Sequence, residues 1–382
     1  MSSYKFLKPY TFSNGIQIKN RIVIPPMTEG SSFADGTVTQ DELNYFSLRA
    51  GGTGMFISPV ANVSNGGKGF EGELSVSSDR FIPRLNQMAL TMKQRGTKAI
   101  LQIFHAGRMS NSKILRGHKP VSASAVKNDS PGAETPQSLS NSEIKKIISD
   151  FGLATRRAIQ AGFDGIELHG ANGYLMHQFF SPHANRRTDF WGGSVEKRMH
   201  FSLEIIKTAY QTIKKYAHRP FLLGYRISPE EETTPGIRIK DTLKFIDVLA
   251  NQPLDYLHIS QRYVWRASGS NPNDKEPLIK KIKKQVKNRL PLIVVGSIVT
   301  PHQAEEVIKQ GFSFVALGKE HLIEPHWVQK VKMGKENEIN YQISEADLAN
   351  LQINPRMWQY FIGNPKNDPR NTLSIMRGFW ED

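Results

Sequence analysis

No cysteine occurs anywhere in the 382-residue chain. That absence excludes a disulfide framework, thiolate zinc sites, iron–sulfur clusters and a cysteine nucleophile. Long apolar runs are missing as well: no stretch approaches the roughly 18 residues of a membrane-spanning helix. The segment from Met1 to Tyr10 has no apolar core of a secretory signal. The expectation is therefore a cytoplasmic protein, neither secreted nor membrane-spanning. Internal repeats, low-complexity linkers and aromatic-plus-basic nucleic-acid modules are absent too. The formal net charge of +15 reads as a lysine-rich solvated surface, not as a nucleic-acid interface. Its lysines (Lys145, Lys146, Lys207, Lys214, Lys215) are scattered along helical segments, and the densest run, Lys280 to Lys287, fits one amphipathic helix.

What is present is enough for a large core without disulfides or structural metal. Eight short apolar runs read as buried parallel strands: Ile22–Pro25, Gly54–Ile57, Ala99–Phe104, Gly165–Leu168, Phe221–Tyr225, Tyr256–Ile259, Leu292–Val295 and Phe314–Leu317. Segments of helical spacing lie between them. Ser140 to Glu143 fits a capping box at one helix start, and Gly96, Gly162 and Gly311 stand where left-handed C-terminal caps belong. Strand–helix alternation repeated eight times predicts a single-domain (β/α)₈ TIM barrel. An open doubly wound sheet is disfavoured because no Gly-x-Gly-x-x-Gly turn follows the first strand. Residues 1–333 are assigned to the barrel and 334–382 to a C-terminal extension packing on it or on a neighbouring subunit. A second long segment, Ala106 to Leu139, is expected to act with residues near Tyr263 and Trp265 in shaping specificity.

Barrel chemistry sits just past the C-terminal ends of strands. That rule selects Pro26, Met27 and Thr28 after strand one; Gln102, His105 and Arg108 on and after strand three; His169, Asn172 and Tyr174 after strand four; and Arg226 after strand five. It also selects Gly296 with Ser297 and Gly318 with Lys319 after the last two strands, where barrels commonly hold phosphate. Glycines there let backbone N–H groups approach an anion, and Lys319 adds a point charge.

The continuation of strand four is long and specific: His169-Gly-Ala-Asn172-Gly-Tyr174-Leu-Met-His177-Gln178-Phe-Phe-Ser181-Pro182, then Asn185-Arg-Arg187-Thr-Asp189-Phe-Trp191-Gly192-Gly193-Ser194. With Pro25-Pro26-Met27-Thr28, Gln102-Ile-Phe-His105-Ala-Gly-Arg108 and Arg226-Ile-Ser228, it resembles the Old Yellow Enzyme family of FMN-dependent ene-reductases. The resemblance spans about Phe6 to Val331.

It implies bound FMN across the barrel mouth, with NADH or NADPH as electron donor. Thr28 would face the flavin O4 region and Gln102 the pyrimidine edge, with both a donor and an acceptor to offer. Arg226 would lie near N1 and O2, Pro26 and Met27 against the ring, and Val60 where the family often has alanine. Gly296, Ser297, Gly318 and Lys319 would hold the phosphate, with lysine in place of the family's usual arginine. His169 and Asn172 would grip a substrate carbonyl or nitro oxygen, and Tyr174 would protonate the α-carbon. The implied substrates are small electrophilic alkenes such as α,β-unsaturated carbonyl compounds. The alternative is a flavin-binding barrel acting as a quinone or nitro reductase, or as a sensor, without productive alkene reduction. Iron–sulfur relatives of the same fold are disfavoured by the missing cysteines.

His105, Arg108, Arg187, Asp189 and Arg198 are expected to brace loops. His177 and His183 beside His169 lack a carboxylate or thiolate to complete a ligand set, so no metal site is expected. Some family members end in an Arg-Gly-Trp-like tail that enters a neighbouring subunit's site. Arg377 is a candidate for such a contact, and the chain a candidate homo-oligomer.

Overall fold

The computed structural model describes residues 4–362. The eight apolar runs form β1 (Ile22–Ile24), β2 (Met55–Asn62), β3 (Lys98–Phe104), β4 (Gly165–Gly170), β5 (Leu222–Ile227), β6 (Tyr256–Ile259), β7 (Leu292–Val295) and β8 (Phe314–Ala316). Each pairs in parallel with its sequence neighbours. Val315 of β8 lies opposite Ile22 of β1, and Val23 opposite Met55 of β2, which closes the ring. The helices are α1 (Gln40–Arg49), α2 (Ile82–Met92), α3 (Asn141–Gln160), α4 (Leu175–Phe180), α5 (Val195–Tyr216), α6 (Ile239–Leu249), α7 (Leu278–Val286), α8 (Pro301–Lys309), α9 (Lys319–Ile323), α10 (Trp327–Lys332) and α11 (Pro355–Ile362). This is the (β/α)₈ barrel.

Local signals act as their chemistry demands. Ser140 Oγ accepts from the Glu143 N–H, while the Glu143 carboxylate accepts from the Ser140 N–H at 2.7 Å. The two reciprocal bonds satisfy amides that α3 leaves unpaired. Gly162 and Gly311, which follow α3 and α8, have φ of 83° and 81°, a region that a side chain would strain.

Period-two alternation then sorts the barrel's side chains. Leu101, Ile103, Ile166, Leu168, Leu223, Tyr225 and Leu257 face outward into the core shared with the helices. The alternate positions face inward and change character with height. At the floor stand Val23, Met55, Ile100, Leu222, Ile293 and Phe314, closed from below by Phe12 and Ile18 of an N-terminal hairpin. One step higher come Gln102, Glu167, Arg226 and His258, all buried. Gly224 makes room there: a Cβ on it would lie 2.1 Å from Cζ of Tyr256. Polar residues thus occupy the inner barrel directly beneath the mouth.

The chain after α10 packs back on the barrel. Ile339, Ile343, Ile353, Met357 and Trp358 join the outer core. Arg49, fully buried, donates to the carbonyls of His321, Leu322 and Leu351, tying α1 to α9 and to this segment. Asn354 caps α11 by accepting from the Met357 N–H at 2.8 Å, with Pro355 at the first helical position, a favoured start. Arg377 lies outside the described residues.

Candidate active site

A cavity of about 610 Å³ opens at the C-terminal mouth, within the usual range for cofactor pockets. Pro26, Met27, Thr28, Asn172, Tyr174, Arg226, Gly296, Ser297, Gly318 and Lys319 line it. Val60, Gln102 and His169 sit behind that lining as buried residues. A cleft of about 640 Å³ also lies outside the barrel between α5, α6 and α7. It contains none of the residues selected from the sequence, and it is remote from the strand ends where barrel chemistry is built.

His169 ends an inward-facing position on β4, and burial pushes its imidazole well below the ordinary histidine range, with Arg226, His258 and His177 adding to the effect. It is therefore neutral near pH 7, and its Nδ1 is buried without a partner. Tyr174 stands 5.0 Å from it, ring centroid to ring centroid, and meets Phe104 edge-on at 4.8 Å. Val60, Phe104, Ala106 and Phe70 form the apolar nest around Tyr174. Burial raises the phenol's pKa, so the hydroxyl keeps its proton.

Asn172 adopts a left-handed φ of 57°, which asparagine tolerates better than most residues. Its N–H donates to Ser228 Oγ at 3.0 Å. Its Oδ1 accepts from Ser260 at 3.0 Å and from Ser228 at 3.3 Å. Two hydroxyls from the ends of β5 and β6 therefore hold the amide oxygen, leaving Nδ2 as the donor toward the cavity.

The phosphate side is built by close backbone approach. A Cβ on Gly296 would lie 2.5 Å from the Val264 nitrogen, and Gly296 adopts φ 144°. Ser297 follows at φ 52° and donates to the Arg262 carbonyl. A Cβ on Gly318 would press on Met27 Sδ at 3.2 Å. FMN fits what these residues leave open. Gln102 Oε1 and Arg226 Nε are buried without partners, and Arg226 and Lys319 bring positive charge to a cavity for an anionic cofactor.

Several expectations change. Gln102 gives one of its two Nε2 hydrogens to Glu167 Oε1 at 2.6 Å, which sets the way the amide faces and leaves its carbonyl and a second N–H to offer. Segment 106–139 does not line the cavity. It is pinned to itself instead: Arg108 donates to the carbonyls of Val126 and Lys127, and Asn128 donates back to the Arg108 carbonyl. Tyr263 and Trp265 themselves are not in the lining, the Trp265 ring packing toward Phe312, but their neighbours Gln261, Arg262 and Arg266 do line the cavity. Arg187 and Arg198 do brace loops: Arg187 bonds the Ala123 and Leu139 carbonyls and pairs with Asp189, and Arg198 bonds those of Phe180 and Gly193. Trp191 donates its indole N–H to Asn141 at 2.8 Å, tying the Gly-Gly turn to the start of α3. No group of three or more metal-ligating side chains occurs among the described residues.

Other lining residues were not selected from the sequence. Tyr360 and Phe361 of α11 reach the cavity. The Tyr360 phenol is raised by burial, an effect partly offset by the Thr28 hydroxyl against it, so Thr28 already has a protein neighbour. Glu230 accepts from Ser268, Gly269, Ser270 and the N–H of Ile239, joining the loops after β5 and β6. The Asn-Pro start of α11 was a readable signal for the helix, but not for where it docks.

Comparison with known proteins agrees with this geometry. Residues 5–338 match the model of the NADH:flavin oxidoreductase / NADH oxidase family. The chain is 40% identical to a probable NADH-dependent flavin oxidoreductase, YqiG, of Bacillus subtilis (strain 168), over 93% of this chain and 95% of that protein. It is 44% identical to the NADH:acrylate oxidoreductase of Vibrio harveyi over 91% of this chain, and 37% identical to the NADH:fumarate oxidoreductase of Klebsiella pneumoniae (strain 342) over 94%. It spans only 35% and 39% of those two longer proteins. Morphinone reductase shares the fold, with a TM-score of 0.76 at 23% identity over 87% of this chain and 90% of that one. No helix among the described residues is long and apolar enough to cross a membrane. The chain belongs to the NADH:flavin oxidoreductase / NADH oxidase family, whose cofactor is FMN and whose electron donor is NADH or NADPH.

Proposed function

We propose that the protein reduces electrophilic carbon–carbon double bonds conjugated to a carbonyl or carboxylate group. The observation that carries this reading is the grouping of a neutral His169, an Asn172 whose oxygen is already engaged, and a protonated Tyr174 at one side of the cavity. The names of the acrylate and fumarate oxidoreductases support the substrate class.

FMN, when bound, supplies the hydride that is added to the alkene β-carbon. The chain's own residues do the rest. His169 and Asn172 donate hydrogen bonds to the substrate oxygen, where negative charge grows as the β-carbon accepts hydride. Tyr174 gives its proton to the α-carbon and regains one from solvent. A phenol with a raised pKa suffices because the carbon that it protonates is strongly basic. With His169 neutral and Asn172 unable to titrate, the grip on oxygen does not change between about pH 6 and 8.

The test is anaerobic spectroscopy of the purified protein. NADH or NADPH should bleach a flavin spectrum, and acrylate or 2-cyclohexenone should restore it at a rate nearly flat over that pH range. Restoration by quinones or nitro compounds but by neither alkene would replace this reading with the quinone or nitro reductase.

A further inference from the structure

Four buried polar side chains from four different strands meet in the inner barrel. Glu167 on β4 accepts from Gln102 Nε2 on β3 at 2.6 Å through Oε1, and its Oε2 lies 3.0 Å from His258 Nδ1 on β6. Arg226 on β5 is the positive charge facing them, level with His169 and His258 across the sheet. Burial alone would raise the Glu167 carboxyl, but His258, the hydrogen bonds and Arg226 outweigh it and hold the group ionised. His258 is neutral, because burial lowers it more than Glu167 raises it. It then donates through Nδ1, and the pair carries a single negative charge.

We infer that Glu167 is a positioning residue for the flavin site: by holding one Nε2 hydrogen it fixes the way the Gln102 amide faces, and its charge offsets that of Arg226. The inference rests on the FMN assignment of the preceding sections. Two consequences follow from the geometry. An amide with one Nε2 hydrogen held at 2.6 Å does not flip, so Gln102 presents its carbonyl and its remaining N–H in one fixed orientation. A fixed anion close to Arg226 reduces the positive potential at the ring, and so makes reduced FMN, the more negative form, harder to hold.

Both consequences can be measured on the holoprotein. Glu167→Gln keeps the side-chain size and an oxygen for Gln102 but removes the charge. The midpoint potential of its bound FMN should move positive by about 30 mV or more, corresponding to roughly tenfold tighter holding of reduced over oxidised FMN. Glu167→Asp keeps the charge but is too short to hold Gln102. Its potential should stay with the parent while its Kd for oxidised FMN rises about tenfold. A Glu167→Gln holoprotein with the parent's potential overturns the charge role. A Glu167→Asp protein with the parent's Kd overturns the turning of Gln102, and this variant decides the matter should Glu167→Gln not fold. A parent protein that takes up no FMN fails one step earlier, at the cofactor itself.

Discussion

The floor and the mouth of the barrel are built from the same eight strands on opposite principles. At the floor, inward positions are apolar and their partners are other side chains: Phe314 meets Tyr10 at 4.8 Å and Phe12 at 5.4 Å. Toward the mouth, inward positions are polar, and Gln102 Oε1, His169 Nδ1 and Arg226 Nε are buried without partners. An unsatisfied buried polar atom costs about 1–3 kcal/mol, so the mouth spends stability that the floor supplies. The difference sets the mouth apart as the end where inward side chains of β3, β4 and β5 all keep polar atoms open.

Variants at the two ends should therefore fail in different ways. The largest effect is expected at the mouth. Tyr174→Phe should lower alkene reduction by about 100- to 10 000-fold while NAD(P)H still bleaches the flavin and the Tm holds; alkene turnover equal to the parent's would remove the proton-donor role. At the floor, Phe314→Ala should cost about 3–5 kcal/mol of stability, seen as a lower denaturation midpoint, with an unchanged flavin spectrum. A floor variant that altered the spectrum would break the separation of the two ends. The smallest effect sharpens the picture of the mouth. Ser260→Ala removes one of the two hydroxyls that hold Asn172 and should lower kcat/KM for an enone by roughly two- to tenfold, with FMN affinity unchanged and recovery in Ser260→Thr. Full activity in Ser260→Ala would mean that Ser228 alone orients the amide.

Much of this architecture is legible in the sequence, because strands and caps are local. The eight runs are mostly apolar, and Gly162 and Gly311 stand where a chain must turn left-handed. The residues of the mouth are legible through the rule that barrel chemistry follows strand ends. That same rule hides Glu167 and His258, which stand inside β4 and β6, within otherwise apolar runs. A charged residue at an inward position of a buried strand was the available signal. What no local pattern carries is the meeting itself: Glu167 is 65 residues from Gln102 and 91 from His258, and only closure of the ring brings the three together. For the same reason the sequence does not show that Glu167 sets the orientation of the Gln102 amide. The places of Ser260 and Tyr360 depend on tertiary docking in the same way.

The wall that α11 adds to the cavity has a consequence in time. Tyr360 and Phe361 leave the ribosome after all eight strands have been made. The mouth is thus completed by side chains that are made after the ring that they cap.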